Sequence, residues 1–185
     1  MKIRSLFFAC ALASSPLAVA DRGATPSSET AKLSDVDTQV VAHLHAVDQL
    51  EIALGKLAEQ NGTAGVKTFG QMLVTDHTAF DAKLAAFAKQ HGMPTIPADA
   101  SQSAAAKTEL DAEKGKLAAL HGEPFDHELL PMMAKAHDQE LTKVDANIAI
   151  VSDPELKSML LAVKPVLQSH ADEARRLQLP VSAAR

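Results

Sequence analysis

Hydrophobic residues recur along four long segments of this chain at alternating spacings of three and four positions. This spacing is the period of an amphipathic α-helix, and the first segment shows it at Val40, Leu44, Leu54 and Ala58. Strand-like alternation is nearly absent, Tyr and Trp are missing, and alanine is abundant, which favours helix. The pattern predicts helices over residues 34–61, 63–90, about 124–151 and 152–179.

Capping residues support the ends of these segments. Ser34 with Asp37 three positions later resembles a capping box. Ser152-Asp153-Pro154 places an N-cap residue before a proline at the first helical position. The last helix is expected to stop at Pro180.

The connections predict how the helices are arranged. Tight turns join the first helix to the second and the third to the fourth, whereas about thirty residues separate the second from the third. Within that stretch, residues 101–120 are alanine-rich with a thin apolar face, which predicts a helical connector. We expect an all-α domain over residues 34–180, an antiparallel four-helix bundle whose long middle connection is what a ferritin-like crossover needs.

Each long helix carries one ionisable residue in its apolar stripe. Counted from the turns, these residues lie at similar depth, and they are Glu51, His77, His137 and His170. Buried polar groups need partners, so the four are predicted to hold a transition-metal ion or a small ligand. Histidine-rich ligand sets suit zinc, copper, nickel or iron. The alternative is an internal hydrogen-bond network that fixes helix register in a structural or partner-binding protein.

Four carboxylates are candidates to orient these histidines, as carboxylates do around bound metals. Three follow a histidine by three or four positions on the same helix, and the fourth lies three turns before His137: Asp81, Glu140, Glu173 and Asp126. The alternatives are solvated carboxylates beside the stripe and, for Asp126, capping of its own helix.

Proline and the remaining histidines add less to the site. Pro165, five residues before His170, removes the helix bond to the Leu161 carbonyl and is predicted to tilt the segment that carries His170. The other histidines are weaker ligand candidates because of their spacing or their position near helix ends: His43, His45, His91, His121 and His127.

The first residues predict an exported protein. Lys2 and Arg4 precede a short apolar run, and small residues lead up to Ala20, the pattern of a secretory signal peptide over residues 1–20. Residues 21–33 have the composition of a flexible leader. A lipoprotein anchored through Cys10 is the alternative. We expect a protein of the periplasm, or one associated with the outer membrane, with no transmembrane segment in the mature chain.

Charge and cysteine content exclude several functions. The formal charge of −5 and the lack of a basic patch argue against nucleic acid as a partner. The single cysteine, Cys10, rules out a redox cysteine pair, and no nucleophile elbow or phosphate loop is present. An enzyme is therefore the least supported function, with acid–base chemistry by the histidines of the stripes as the form it could take. An envelope protein partner and the oligomeric state stay open.

Four stretches resemble a known family in order and spacing: QLEIALGKLAEQN, VKTFGQMLVTDHTAFDAKL, GEPFDHELLPMMAKAH and KPVLQSH. The family is the bacterial envelope family catalogued as domain of unknown function 4142, whose members are often labelled predicted outer membrane protein. The resemblance covers about residues 36–178. It implies a ferritin-like bundle and a secreted location, but no established activity. The positions that it carries over are Glu51, His77, Phe125, Asp126, His137 and His170. The Glu-x-x-His motif of di-iron sites is absent, because Val74, Ala134 and Leu167 stand three residues before the histidines.

Overall fold

A computed structural model describes residues 32–179. This part of the chain forms five helices and no strand: α1 (Asp35–Asn61), α2 (Ala64–Gln90), α3 (Ala104–Ala118), α4 (Glu123–Ile150) and α5 (Pro154–Gln178). The expected all-α class is confirmed, and α3 occupies the predicted connector. The predicted signal peptide, Cys10, most of the predicted leader and Pro180 lie outside the described residues.

Side-chain caps begin two of the long helices. The Ser34 hydroxyl accepts a hydrogen bond from the Asp37 amide at 3.0 Å. Asp153 accepts bonds from the amides of Glu155 and Leu156, and Pro154 occupies the first turn, where its missing N–H is not needed. Asp37 also accepts bonds from the amide and hydroxyl of Ser152. The start of α1 is thereby tied to the α4–α5 turn.

The long helices pack as two hairpins. α1 packs along α2 and α4 packs along α5, while α2 contacts α5 and α1 contacts α4. Helix α3 touches α1 and α4 and buries Leu117, consistent with its thin apolar face. α5 continues through Pro165 to Gln178. No helix among residues 32–179 has the length and apolar character needed to cross a bilayer.

The apolar core is divided into two clusters. The first cluster includes Leu44, Leu84, Val144 and Leu160. The second cluster includes Leu54, Phe69, Leu129 and Ala174. Between the clusters lies a polar layer, the buried residues Asp48, Glu51, His77, His137, Glu140 and His170. α1 and α5 run from the first cluster to the second, and α2 and α4 run the opposite way, so helices in contact are antiparallel.

Two glycines let α1 and α2 approach closely. A Cβ atom on Gly70 would lie 2.5 Å from the carbonyl oxygen of Gly55 and 2.8 Å from the Ala58 Cβ. The opposing atoms include backbone, which cannot rotate away. The crossing therefore fixes the register of α1 against α2.

Gly70→Ala is expected to lower the free energy of unfolding by about 1–3 kcal/mol, because the added methyl group overpacks this crossing. Gly115→Ala in α3 is the matched control, since its Cβ would meet nothing within 4 Å. Alanine is the better helix former there, so stability should rise by about 0.5–1 kcal/mol. Urea denaturation of both variants measures the difference, and a stabilised Gly70→Ala protein would contradict the close crossing.

Candidate metal centre

Three histidines from three helices meet in the polar layer. His77 comes from α2, His137 from α4 and His170 from α5, and all three are buried. One ring nitrogen of each lies within 4.8 Å of the corresponding atoms of the other two. These three residues, called the triad below, are therefore close enough to hold a metal ion.

The outer ring nitrogen of each histidine contacts an oxygen acceptor. His77 Nδ1 lies 2.8 Å from Asp48 Oδ1, and His137 Nδ1 lies 2.9 Å from the Met133 carbonyl oxygen. His170 Nε2 lies 2.9 Å from Asp76 Oδ2. The Met133 carbonyl oxygen and the Asp76 carboxylate accept, and Asp48 accepts through Oδ1 as its carbonyl oxygen, so we assign an N–H to each outer nitrogen. Metal-binding histidines are held in the same way, by a carboxylate or a backbone carbonyl on the far nitrogen.

The inner nitrogens are then left with lone pairs. They are Nε2 of His77, Nε2 of His137 and Nδ1 of His170. His77 Nε2 is buried without a hydrogen-bond partner, and the other two nitrogens are 3.2 Å apart. Two lone pairs at that distance repel unless a cation lies between them. A proton shared by His137 and His170 would satisfy that pair, whereas a metal ion would satisfy all three histidines.

One nitrogen–nitrogen distance and the protonation of the histidines suit a metal ion. A tetrahedral ion with metal–nitrogen bonds of about 2.0–2.1 Å holds its nitrogen ligands about 3.3 Å apart, close to the 3.2 Å between His137 and His170. Burial lowers the pKa of His77 and the pKa of His137 to about 4, and burial also lowers the pKa of His170. The imidazoles are thus neutral near pH 7, which is the form that binds metal.

Comparison with known protein families shows to which family this chain belongs. A family model described as "Domain of unknown function (DUF4142)" matches residues 22–177. The chain belongs to this family. No match was found among curated proteins or solved structures. The resemblance seen in the sequence motifs is confirmed, and the chemistry of this DUF4142 chain has to be argued from its own residues.

Glu51, the fourth predicted ligand, lies outside the triad. It is buried, its Oε2 has no hydrogen-bond partner, and burial, with the nearby Asp48, raises the pKa of Glu51 to about 8. Burial, followed by the charge of Asp81, raises the pKa of Asp48 to about 8 as well. α1 therefore contributes two neutral acids, one turn apart, to the polar layer.

The four carboxylates considered as orienting groups bind elsewhere in the structure. Asp81 lies 2.6 Å from His45 Nδ1, and Glu173 pairs with Arg176. Asp126 accepts bonds from the amide and hydroxyl of Thr63, which ties α4 to the α1–α2 turn. A residue three or four positions from a histidine shares its side of the helix, but here each of these carboxylates lies toward a different neighbour.

Glu140 takes part in a separate clamp on the α1–α4 side. His43 Nε2 lies 3.1 Å from Glu140, and its Nδ1 lies 3.0 Å from Asp99. The bond with Glu140 raises the pKa of His43 most, and the bond with Asp99 raises it further. Burial acts in the opposite direction. The clamp joins α1, α4 and the segment before α3.

Asp48 and Asp76 are the contacts that sequence reasoning missed. Asp48 fits the apolar spacing as well as Val47 does, since it is four residues after Leu44 and three before Glu51. Asp76 is three residues after Leu73. A search for every acid compatible with the stripe would have found both.

Glu51→Gln tests the buried acid, because it replaces a carboxyl group by a neutral amide of similar size. The folded protein keeps the Glu51 proton up to about pH 8, whereas the unfolded chain loses it near pH 4.5. The contribution of Glu51 to the stability of the natural protein should therefore fall as the pH rises from about 4.5 to 8. We expect equal stability near pH 4.5 and a variant more stable by about 2–4 kcal/mol at pH 8.

Urea unfolding of chelator-treated protein at several pH values measures this effect. Glu109→Gln, in the exposed α3 helix, is the control and should follow the natural pH profile. Parallel profiles for the Glu51→Gln and natural proteins would show that Glu51 is ionised in the fold.

Proposed function

We propose that this DUF4142 chain binds one transition-metal ion through the inner nitrogens of the triad. The observation that carries the proposal is the buried, unpartnered Nε2 of His77 beside the close nitrogens of His137 and His170. A buried polar atom without a partner costs about 1–3 kcal/mol. A metal ion removes this cost and the lone-pair repulsion together.

Three nitrogen ligands suit zinc, copper, nickel or iron. A tetrahedral ion held by three protein ligands keeps a fourth position for water or another ligand. Glu51, buried in the same layer, is a candidate to approach that position after a side-chain rearrangement. A ferroxidase or iron store is not proposed, since the carboxylate-rich motif of such sites is missing.

Fold and location complete the proposal. The antiparallel contacts among α1, α2, α4 and α5 support a ferritin-like four-helix bundle. The signal-peptide pattern of residues 1–20 supports export to the periplasm, or association with the outer membrane. The protein then acts as an envelope metal-binding protein, and no catalytic activity is assigned to it.

A structural role is the second candidate, and the outer bonds to Asp48, Met133 and Asp76 favour it. In that case the polar layer is a hydrogen-bond network that sets helix register. A His77→Leu, His137→Leu, His170→Met triple variant would then fold normally. Metal content separates the two candidates.

Untagged protein beginning at Asp21 should bind Zn²⁺ or Co²⁺ at one ion per chain, because the triad forms one three-nitrogen site. His137→Ala and His170→Ala should each abolish stoichiometric binding. His45→Ala is the matched control, since His45 also pairs with a carboxylate but lies outside the triad, and it should bind normally. Elemental analysis after dialysis measures the content, and circular dichroism checks folding. A natural protein that takes up no metal under any loading condition would refute the proposal.

Asp48→Ala should weaken metal binding about 10–100-fold, the usual effect of removing the partner of a metal-binding histidine. Asp81→Ala should leave the dissociation constant unchanged, because Asp81 contacts His45. Titration with a competing chelator measures both constants. The reverse result would assign the orienting role to Asp81, as the sequence spacing predicts.

A further inference from the structure

The triad is buried, so an ion needs a path to reach it. Among the outer partners, Asp48 is buried and Met133 offers a carbonyl oxygen inside α4. Asp76 is different, because 41% of its side chain is exposed while it contacts the fully buried His170. Asp76 therefore links the interior of the site to the surface.

A cavity leads to the same point. A space of about 420 Å³ between α2 and α5 is lined by Asp76 and by the triad member His77. Its walls are mostly apolar and include Phe80, Met159 and Val163. Two other cavities, of about 520 and 350 Å³, lie beside His43 and Asp99, and neither is lined by a triad histidine.

We propose that the α2–α5 cavity is the route by which a divalent transition-metal ion enters and leaves the triad, with Asp76 as the first residue to bind it. This inference rests on the metal binding proposed above. Asp76 uses one carboxylate oxygen for His170, and a carboxylate has a second oxygen with which to meet a hydrated cation. His77, on the same cavity wall, is the next ligand along the path.

Charges around the cavity suit this direction of entry. Lys83 and Glu155 line it along with Asp76. Lys83 lies seven residues after Asp76 on α2, about 10 Å along the helix axis. Asp76 and Glu155 carry two negative charges against the single positive charge of Lys83, so the lining attracts a cation, and Asp76 is the carboxylate that contacts the triad.

Ala162→Phe tests the path, because Ala162 lines the cavity and a phenyl ring there would fill part of it without replacing a ligand. A blocked path slows entry and exit equally. Association of Co²⁺, followed by stopped-flow absorbance, and its removal by excess EDTA should both slow at least tenfold, while the dissociation constant stays unchanged. Ala146→Phe, beside the His43 cavity, is the matched control and should keep natural rates.

Asp76→Asn tests the entry residue. Association should slow about tenfold and lose most of its dependence on ionic strength, because the attracting charge is gone. Asp172→Asn, an exposed change on α5, should leave the association rate unchanged.

The outcomes separate this inference from the proposed function. If the natural protein takes up no Co²⁺, both proposals fail together. If it binds one ion per chain and Ala162→Phe exchanges Co²⁺ at natural rates, the route is wrong while the metal site stands. Ala79→Leu, on the opposite wall of the cavity, serves in place of Ala162→Phe if that protein does not fold, and the same slowing is expected of it.

Discussion

Desolvation of the polar layer is the constraint on which the rest of this structure depends. Imidazole and carboxyl groups enclosed by apolar clusters are unfavourable unless they are neutral and hydrogen-bonded. The first condition is met by four of these groups, because burial lowers the pKa of His77 and of His137 and raises the pKa of Asp48 and of Glu51. Among residues 32–179, this layer holds three buried side-chain atoms without a hydrogen-bond partner: Asp48 Oδ2, Glu51 Oε2 and His77 Nε2. The unsatisfied hydrogen-bonding groups of this layer therefore lie within the triad, at His77, and on α1, at Asp48 and Glu51.

The glycine crossing places the partners of this layer opposite each other. Gly55 and Gly70 fix where α1 meets α2, and Asp48 and His77 each lie seven residues from their glycine in the direction of the first core cluster. Seven residues correspond to about 10 Å along each helix, so the two side chains reach the same height, where Asp48 contacts His77 at 2.8 Å. A backbone contact far from the histidines thus sets the orientation of one of them.

Sequence periodicity predicted the helices and the three histidines, but it did not predict their partners. The apolar stripe shows only roughly which side of a helix faces inward, and the positions of Val47 and Asp48 both fit its spacing. Position along the helix axis would have distinguished Asp48 from Val47 as the partner of His77. Asp48 lies thirteen residues before the end of α1, and His77 lies thirteen residues after the start of α2. Asp76 could not be chosen over Asp81 in this way, because that choice depends on how α2 is rotated against α1 and α5. Such rotation is decided by packing between helices, which a single-helix pattern does not contain.

The unpartnered nitrogen of His77 is what distinguishes a structural network from a metal centre. A network built only for helix register would be most stable with every buried donor and acceptor paired. One shared proton completes the bond between His137 and His170, but it leaves His77 Nε2 without a partner. A purely structural role accounts for the contact of His77 Nδ1 with Asp48, but it provides no partner for His77 Nε2. A metal ion bound by all three inner nitrogens provides that partner, and it uses the tautomers that Asp48, Met133 and Asp76 already impose.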